Sequence, residues 1–312
     1  MLRLLLIIIL ILTNATGCLA SNKILITINQ FVSHPALDAA SLGIKEALQQ
    51  RDIFPKKAEI QLANAQGNIS TSVQIAKHQA ALMPKFMIGI ATPSTQANLN
   101  ARLNNSITLG FVAVTDPIAI GLGTRANIIG VSDVPPIDEL LEIAIEVFPK
   151  LKNIGVIYNP GEINSVKMVD LLISAAAKRN ITVHKSIINS TSGIKLAVQK
   201  LIGKVDLMYL PLDNSVVSAV ASISKETAAA KLPIIANDPS LVDKGILFAL
   251  GCDYRNSGKQ LGFMIADMIE GKKIVNNIQA SNIKELKINE HMAKKFGISI
   301  PAKIKLQSRN LP

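Results

Sequence analysis

Short apolar runs and amphipathic stretches alternate along nearly the whole chain. Lys23 to Asn29 (KILITIN), Ala58 to Ala63, Lys85 to Ala91 and Ile107 to Val114 read as strands. Between them, apolar residues recur at helical spacing from Pro35 to about Arg51, from Asn68 to Leu82, and after Thr92. Pro35 suits the first turn of its helix, where a missing N–H costs nothing. A short strand over Asn127 to Val131 leads to a helix of about Asp138 to Phe148. The order then begins again. Strands at Asn153 to Tyr158, Ile181 to Ser186, Asp206 to Leu210, Pro233 to Ala236 and Ile246 to Gly251 are interleaved with helices ending near Arg179, Leu201 and Ala230. A helix from about Tyr254 to Ile269, a short strand near Leu286 to Ile288, a helix of about Asn289 to Phe296 and a basic tail complete the chain. Such alternation predicts an α/β fold of two Rossmann-like lobes, each a parallel sheet wound by right-handed crossovers.

The polar residues gather where strands give way to helices. In Ile154 to Ser165, an apolar run is broken by Asn159-Pro160-Gly161 and followed at once by residues that start a helix. In an open α/β sheet this edge faces the crevice where ligands bind. Thr92, Ser94, Thr95 and Gln96 follow the third strand, and Thr115 and Asp116 the fourth. Tyr158, Asn159, Glu162 and Ser165, then Asp213 and Asn214, then Asp238 occupy the matching places in the second run. Helix N-termini offer unpaired N–H groups and a partial positive charge to a carboxylate. The acidic members of the set suit an ammonium, so together they suit a zwitterion such as an amino acid. Capping alone accounts for any one of these residues. Phe31, Tyr158, Ile163 and Tyr209 are available as apolar pocket walls, and His34 lies near a strand end.

Composition narrows the function further. At 312 residues and 49% hydrophobic, the chain can bury two cores of ordinary size. Lys and Arg outnumber Asp and Glu by 33 to 22, but they are scattered, without Arg-rich runs or interleaved aromatics, so nucleic acid is not the expected partner. The chain contains no GxSxG elbow, no Walker loop, no GxGxxG after the first strand and no HExxH, and its four histidines lie in separate segments. An enzyme, a metal site and a cofactor are therefore not expected. With no Trp and 4% aromatics, a sugar site built on ring stacking is disfavoured. Arg3 followed by the apolar Leu4 to Leu12 reads as an export signal within residues 1–20. Two processing routes are open: lipidation of Cys18 after Ala15-Thr-Gly, or cleavage after Ala20. Either route leaves Cys252 unpaired, so no disulfide framework is expected.

Ser33-His-Pro-Ala-Leu-Asp38, Ala91-Thr-Pro-Ser-Thr-Gln96, Val114-Thr-Asp-Pro117, Gly130-Val-Ser-Asp133, Tyr158-Asn-Pro-Gly-Glu-Ile-Asn-Ser165, Leu212-Asp-Asn-Ser215 and Gly251-Cys-Asp-Tyr254 occur in this order. The set resembles the ABC-transporter substrate-binding protein family that includes tryptophan- and aromatic-amino-acid-binding members. Cys252 stands where an apolar residue is expected, and Ala15 where a lipobox usually has Leu. The resemblance implies a periplasmic-binding-protein type I fold, with three crossing segments and a ligand closed between the lobes. It places lobe one at residues 22–134 and 253–280, and lobe two at 135–252 and 281–312. It further implies a monomeric extracytoplasmic receptor, in the periplasm or on the outer face of the cytoplasmic membrane, that hands a small solute to an ABC permease. A ligand-sensing receptor or regulator of the same fold, or a binder of a nucleoside or other small solute, is the alternative. The export reading is checked by intact-mass measurement of native protein: a diacylglyceryl mass on Cys18 supports the anchor, a start at Ser21 removes it, and an unprocessed Met1 in a cytosolic fraction overturns both routes.

Overall fold

A computed structural model describes residues 23–102, 106–123 and 125–310; the export segment and Cys18 lie outside them. Two six-stranded sheets account for all the strands among the described residues. The first contains β1 (Ile24–Gln30), β2 (Ala58–Asn64), β3 (Phe86–Ile90), β4 (Thr108–Val114) and β5 (Ile128–Ser132), arranged 2-1-3-4-5. The second repeats that order with β6 (Asn153–Tyr158), β7 (Thr182–Ile187), β8 (Leu207–Leu210), β9 (Ile234–Ala236) and β10 (Phe248–Cys252). Every position of β3, β4, β5, β8, β9 and β10 is buried, which is why these strands read as unbroken apolar runs. The edge strands β2 and β7 are mostly exposed or half-buried.

Each sheet gains a sixth strand from late in the sequence. β11 (Ile278–Ala280) pairs in parallel with β5, and β12 (Lys284–Ile288) pairs antiparallel with β10. The sequence pattern does not reveal β11, because three half-exposed edge residues carry no periodicity. The helices in chain order are α1 (Pro35–Gln50), α2 (Ile69–Ala81), α3 (Thr92–Ala101), α4 (Ile137–Val147), α5 (Ile163–Ala177), α6 (Ile194–Gln199), α7 (Asn214–Ser218), α8 (Val220–Ala229), α9 (Tyr254–Ile269), α10 (Glu290–Phe296) and α11 (Ala302–Asn310). The expected single helix up to Ala230 is thus broken at Ala219, and the basic tail is helical.

The chain passes between the sheets three times: after β5, after β10, and between β11 and β12. These crossings are tied to one another. The Ser281 N–H donates to the Ser132 carbonyl at 2.9 Å, and the Asp253 N–H to the Ile283 carbonyl at 3.2 Å. After the second crossing, α9 returns to the first sheet and packs backbone to backbone on α1. A Cβ at Gly258 would stand 2.0 Å from the Ala40 carbonyl oxygen, and one at Gly43 2.0 Å from that of Arg255. Cys252 is buried and unpaired, and burial pushes its thiol up to about 12. Gly258→Ala is expected to force the two helices apart and lower stability by roughly 1–3 kcal/mol, the usual cost of overpacking. Chemical denaturation checks this, and an unchanged midpoint would show that the helices separate freely.

Candidate functional site

Both sheets reverse their winding between the first and third strands of the run, at β1/β3 and at β6/β8. That arrangement opens a crevice beyond the carboxyl ends of those strands. The loops leaving β1, β4 and β5 face the loops leaving β6, β8 and β9 across it. Between them lies a cavity of about 20 Å³, lined from one side by His34, Leu37 and Thr115 and from the other by Asn164, Asp213 and Asp238. Such a space holds about one water-sized group. Asp133 of the first crossing and Tyr254 of the second also line it, and the Tyr254 hydroxyl donates to Asp133 Oδ2 at 2.8 Å. Burial raises the Asp133 carboxyl to about 7, against the pull of that hydrogen bond. Ala113, at φ 59°, marks a bulge in β4 where register is lost between Val112 and Val114. It lines the same cavity, and such strained positions collect where a strand must re-aim its last residues.

The two acidic residues of the second lobe's first turns are engaged in the protein itself. Glu162 is 1% exposed and accepts from the backbone N–H groups of Asn214 and Ser215, each at 3.0 Å. Its oxygens also take Asn214 Nδ2 at 2.6 Å and Ser215 Oγ at 2.8 Å. Glu162 is thus the anion at the start of α7, although the sequence suggested a role at the start of α5, where its side chain caps nothing. Asp213 accepts from Asn159 N at 2.6 Å, Ser165 Oγ at 2.5 Å and Val216 N at 2.9 Å, binding the end of β6, the first turn of α5 and the start of α7 together. Burial, reinforced by the nearby Glu162 charge, raises the Asp213 carboxyl to about 7.

The other residues singled out in the sequence divide into groups. Thr115, Asp213, Asn214 and Asp238 line the central cavity. Asp238 Oδ1 accepts from Ser240 N at 2.9 Å and Ser240 Oγ at 2.6 Å. Asn159 and Glu162 face a larger space of about 490 Å³ at the mouth of the cleft, which Asn214 also lines and where Phe31 supplies an apolar wall. Thr92, Gln96 and Ile163 border a third space of about 190 Å³. Ser94 is turned into the first lobe, where it bonds Asn29 Oδ1 at 3.1 Å and Ser72 Oγ at 3.0 Å. Thr95 donates to the Ala91 carbonyl at 2.9 Å, and Ser165 is held by Asp213. Asp116 forms an ion pair with Lys167 of α5 at 3.4 Å, so it links the lobes away from the cavity. Tyr158 packs against the core of the second lobe, and Tyr209 is fully buried with its hydroxyl on Asn237 Oδ1 at 2.7 Å. Asp133, Asn164 and Tyr254 were not singled out as site residues in the sequence, although all three fall inside the quoted motifs.

The raised Asp213 carboxyl has a measurable consequence. Its folded-state value of about 7 lies above the ordinary carboxylate value of about 4, so between these the folded state holds a proton that the unfolded state has lost. Stability therefore falls as pH rises from about 4 to about 7. Asp213→Asn is expected to remove part of that fall, Asp133 supplying another part by the same argument. Denaturation of both proteins across this range checks it, and an identical slope in the variant would assign the dependence elsewhere.

Among the described residues no helix is long and apolar enough to cross a membrane. A sequence profile for the ABC transporter substrate binding protein family matches residues 25–310. The tyrosine-binding protein of Clostridioides difficile (strain R20291) is 36% identical over 269 residues, covering 84% of this chain and 77% of that protein. The structure of an ABC domain in complex with L-Trp from Streptococcus pneumonia superimposes with a TM-score of 0.84 at 28% identity, covering 91% of this chain and 98% of the other. A ligand-free, open substrate binding protein with adhesive properties from Clostridium difficile gives a TM-score of 0.67 at 33% identity, over 89% and 96% of the two chains. Two doubly wound lobes with a cleft between their strand ends are the periplasmic-binding-protein type I fold. This chain belongs to the family of ABC transporter substrate-binding proteins, receptors that act outside the cytoplasm.

Proposed function

We propose that this protein is the solute-binding component of an ABC importer and captures an amino acid with an aromatic or other large apolar side chain. The observation that carries the reading is the cavity between the two lobes, where acidic and polar side chains from both strand-end edges converge on one small space. The relatives named for tyrosine and L-Trp support the ligand class. The chemistry agrees with it, since carboxylates facing neutral hydroxyl and amide groups across a cleft suit a small zwitterion held by charge-assisted bonds. On this reading Thr115, Asp213, Asn214 and Asp238 surround the bound molecule, Thr92, Gln96, Asn159 and Glu162 border the adjoining spaces, and Phe31 receives the apolar side chain.

A space of about 20 Å³ does not admit an amino acid, so the lobes must part and close again around it. Lobe one is then residues 22–134 and 253–280, lobe two is 135–252 and 281–312, and the three crossings form the hinge. The lower TM-score against the relative described as open, despite its higher identity, fits such a motion. Export by the leading segment, with Cys18 as a lipid anchor, would hold a monomeric receptor beside its permease. Calorimetric titration against the twenty amino acids, then against nucleosides and sugars, tests the ligand class. An aromatic or large apolar amino acid is expected to bind with compaction seen by small-angle scattering. Binding of a sugar or nucleoside and of no amino acid would overturn the reading.

A further inference from the structure

Three residues that line the central cavity each have a buried side-chain atom without a hydrogen-bond partner: His34 Nδ1, Asp133 Oδ1 and Asn164 Oδ1. Their residues are 8%, 4% and 5% exposed, so solvent does not relieve them. Each comes from a different part of the fold. His34 precedes α1 in the first lobe, Asp133 sits in the first crossing, and Asn164 lies in the first turn of α5 in the second lobe.

The surrounding bonds fix the chemical character of two of these atoms, and ionisation that of the third. Asn214 gives its Nδ2 to Glu162 Oε2 at 2.6 Å, which leaves its Oδ1 facing His34 Nε2 at 3.4 Å. An amide oxygen only accepts, so Nε2 carries the imidazole proton and Nδ1 presents a lone pair. Asn164 gives its Nδ2 to the Leu212 carbonyl at 2.7 Å, and its free atom is likewise the oxygen. Asp133 Oδ2 already receives the Tyr254 hydroxyl, so once the carboxyl is ionised Oδ1 is a further acceptor. With Asp133 ionised, the residues around the cavity thus offer three unsatisfied acceptors. Desolvation lowers the His34 basicity and favours the neutral ring, although Asp238, the Asn214 hydrogen bond, Asp38 and Glu162 pull the other way.

A water molecule has two hydrogens to offer three acceptors. A primary ammonium has three, and its charge matches a carboxyl group flanked by Asp213 and Asp238 in the same lining. Glu162 and Asp213, the two acidic residues best placed by sequence, have both oxygens occupied by the protein's own donors. We propose that His34, Asp133 and Asn164 together form the subsite for a ligand's primary ammonium group, with Asp133 as its counter-ion. This rests on the amino-acid reading above for the remainder of the ligand, but not for the ammonium itself.

The test uses the full processed chain, with L-tyrosine and L-tryptophan as probes. Each is compared with its amine-free acid, 3-(4-hydroxyphenyl)propionate or indole-3-propionate, and its carboxylate-free amine, tyramine or tryptamine. Asp133→Asn keeps the shape and an acceptor for Tyr254, so folding is retained. It is expected to weaken binding of whichever amino acid binds, and of its amine, by about tenfold to a hundredfold, the worth of a charge-assisted bond in a desolvated site. It should leave the amine-free acid nearly unchanged. Asp213→Asn is expected to weaken all three alike, because its bonds hold the lobe together. An amine-free acid that binds as tightly as its amino acid overturns the subsite while the importer reading stands. If neither amino acid binds but an amine does, through Asp133, the subsite stands and the amino-acid reading falls. If no amine-bearing probe binds at all, both fall. Nitrogen chemical shifts of His34 give an answer without ligand: a neutral ring protonated at Nε2 is expected, and a proton on Nδ1 overturns the assignment.

Discussion

The satisfaction of buried carboxylates at the strand ends organises the cleft. An ionised carboxylate removed from water is costly unless donors surround it, so each acid buried here dictates the backbone near it. Glu162 and Asp213 take up the N–H groups that the short helix α7 leaves unpaired, although burial and the Glu162 charge still hold the Asp213 carboxyl up at about 7. In doing so they join the ends of β6 and β8 to the start of α5. The acids at the edge of the second lobe are therefore engaged in holding that edge together. What remains for a ligand is set by subtraction: the groups whose hydrogen-bonding capacity the protein does not itself exhaust.

The winding order explains why those groups converge. Both sheets switch direction between equivalent strands, and the two switch points face one another, so strand-end residues far apart in sequence become neighbours. His34 and Asn214, separated by 180 residues, approach to 3.4 Å on this account. The first lobe seals its own edge differently, with a neutral buried network of Asn29, Ser72, Ser94 and Asn98 in place of carboxylates. The charge in the cavity consequently comes from the crossing segment and from the second lobe.

Much of this was legible in the sequence because parallel strands buried on both faces leave unbroken apolar runs, as in Thr108 to Val114. The two-lobe α/β plan follows from those runs and their spacing. The break at Ala219, the strand Ile278–Ala280 and the antiparallel β12 do not, since each is decided by tertiary pairing. At the site, position along the chain identified the right edge, so that Thr115, Asp213, Asn214 and Asp238 meet at one cavity. It could not say which way a side chain faces. Ser94 and Thr95 share the first turn of α3 with Thr92, yet they bond within their lobe. Asp133 escaped notice because it follows a short strand and is succeeded by Val134-Pro135-Pro136, a stretch that reads as a linker. The only signal available was its place in the Gly130-Val-Ser-Asp133 motif.

That linker is both a crossing between the sheets and a wall of the cavity. Asp133 lies in the first crossing and receives the hydroxyl of Tyr254, which opens the helix after the second. Ser281 of the third crossing donates to Ser132, the neighbour of Asp133, and shares a hydrogen bond with Ser257 of α9 at 2.8 Å. Any rotation of the lobes must pass through this hydrogen-bonded set. On the proposed closure, a cation reaching Asp133 would act on the segment about which the lobes turn, and need not transmit its effect through either lobe. A ligand shifts such an equilibrium only by the difference in its affinity for the two states. On the proposed closure, Asn164 and His34 would supply that difference, because they stand on opposite sides of the cavity and would complete the acceptor set only with the lobes together.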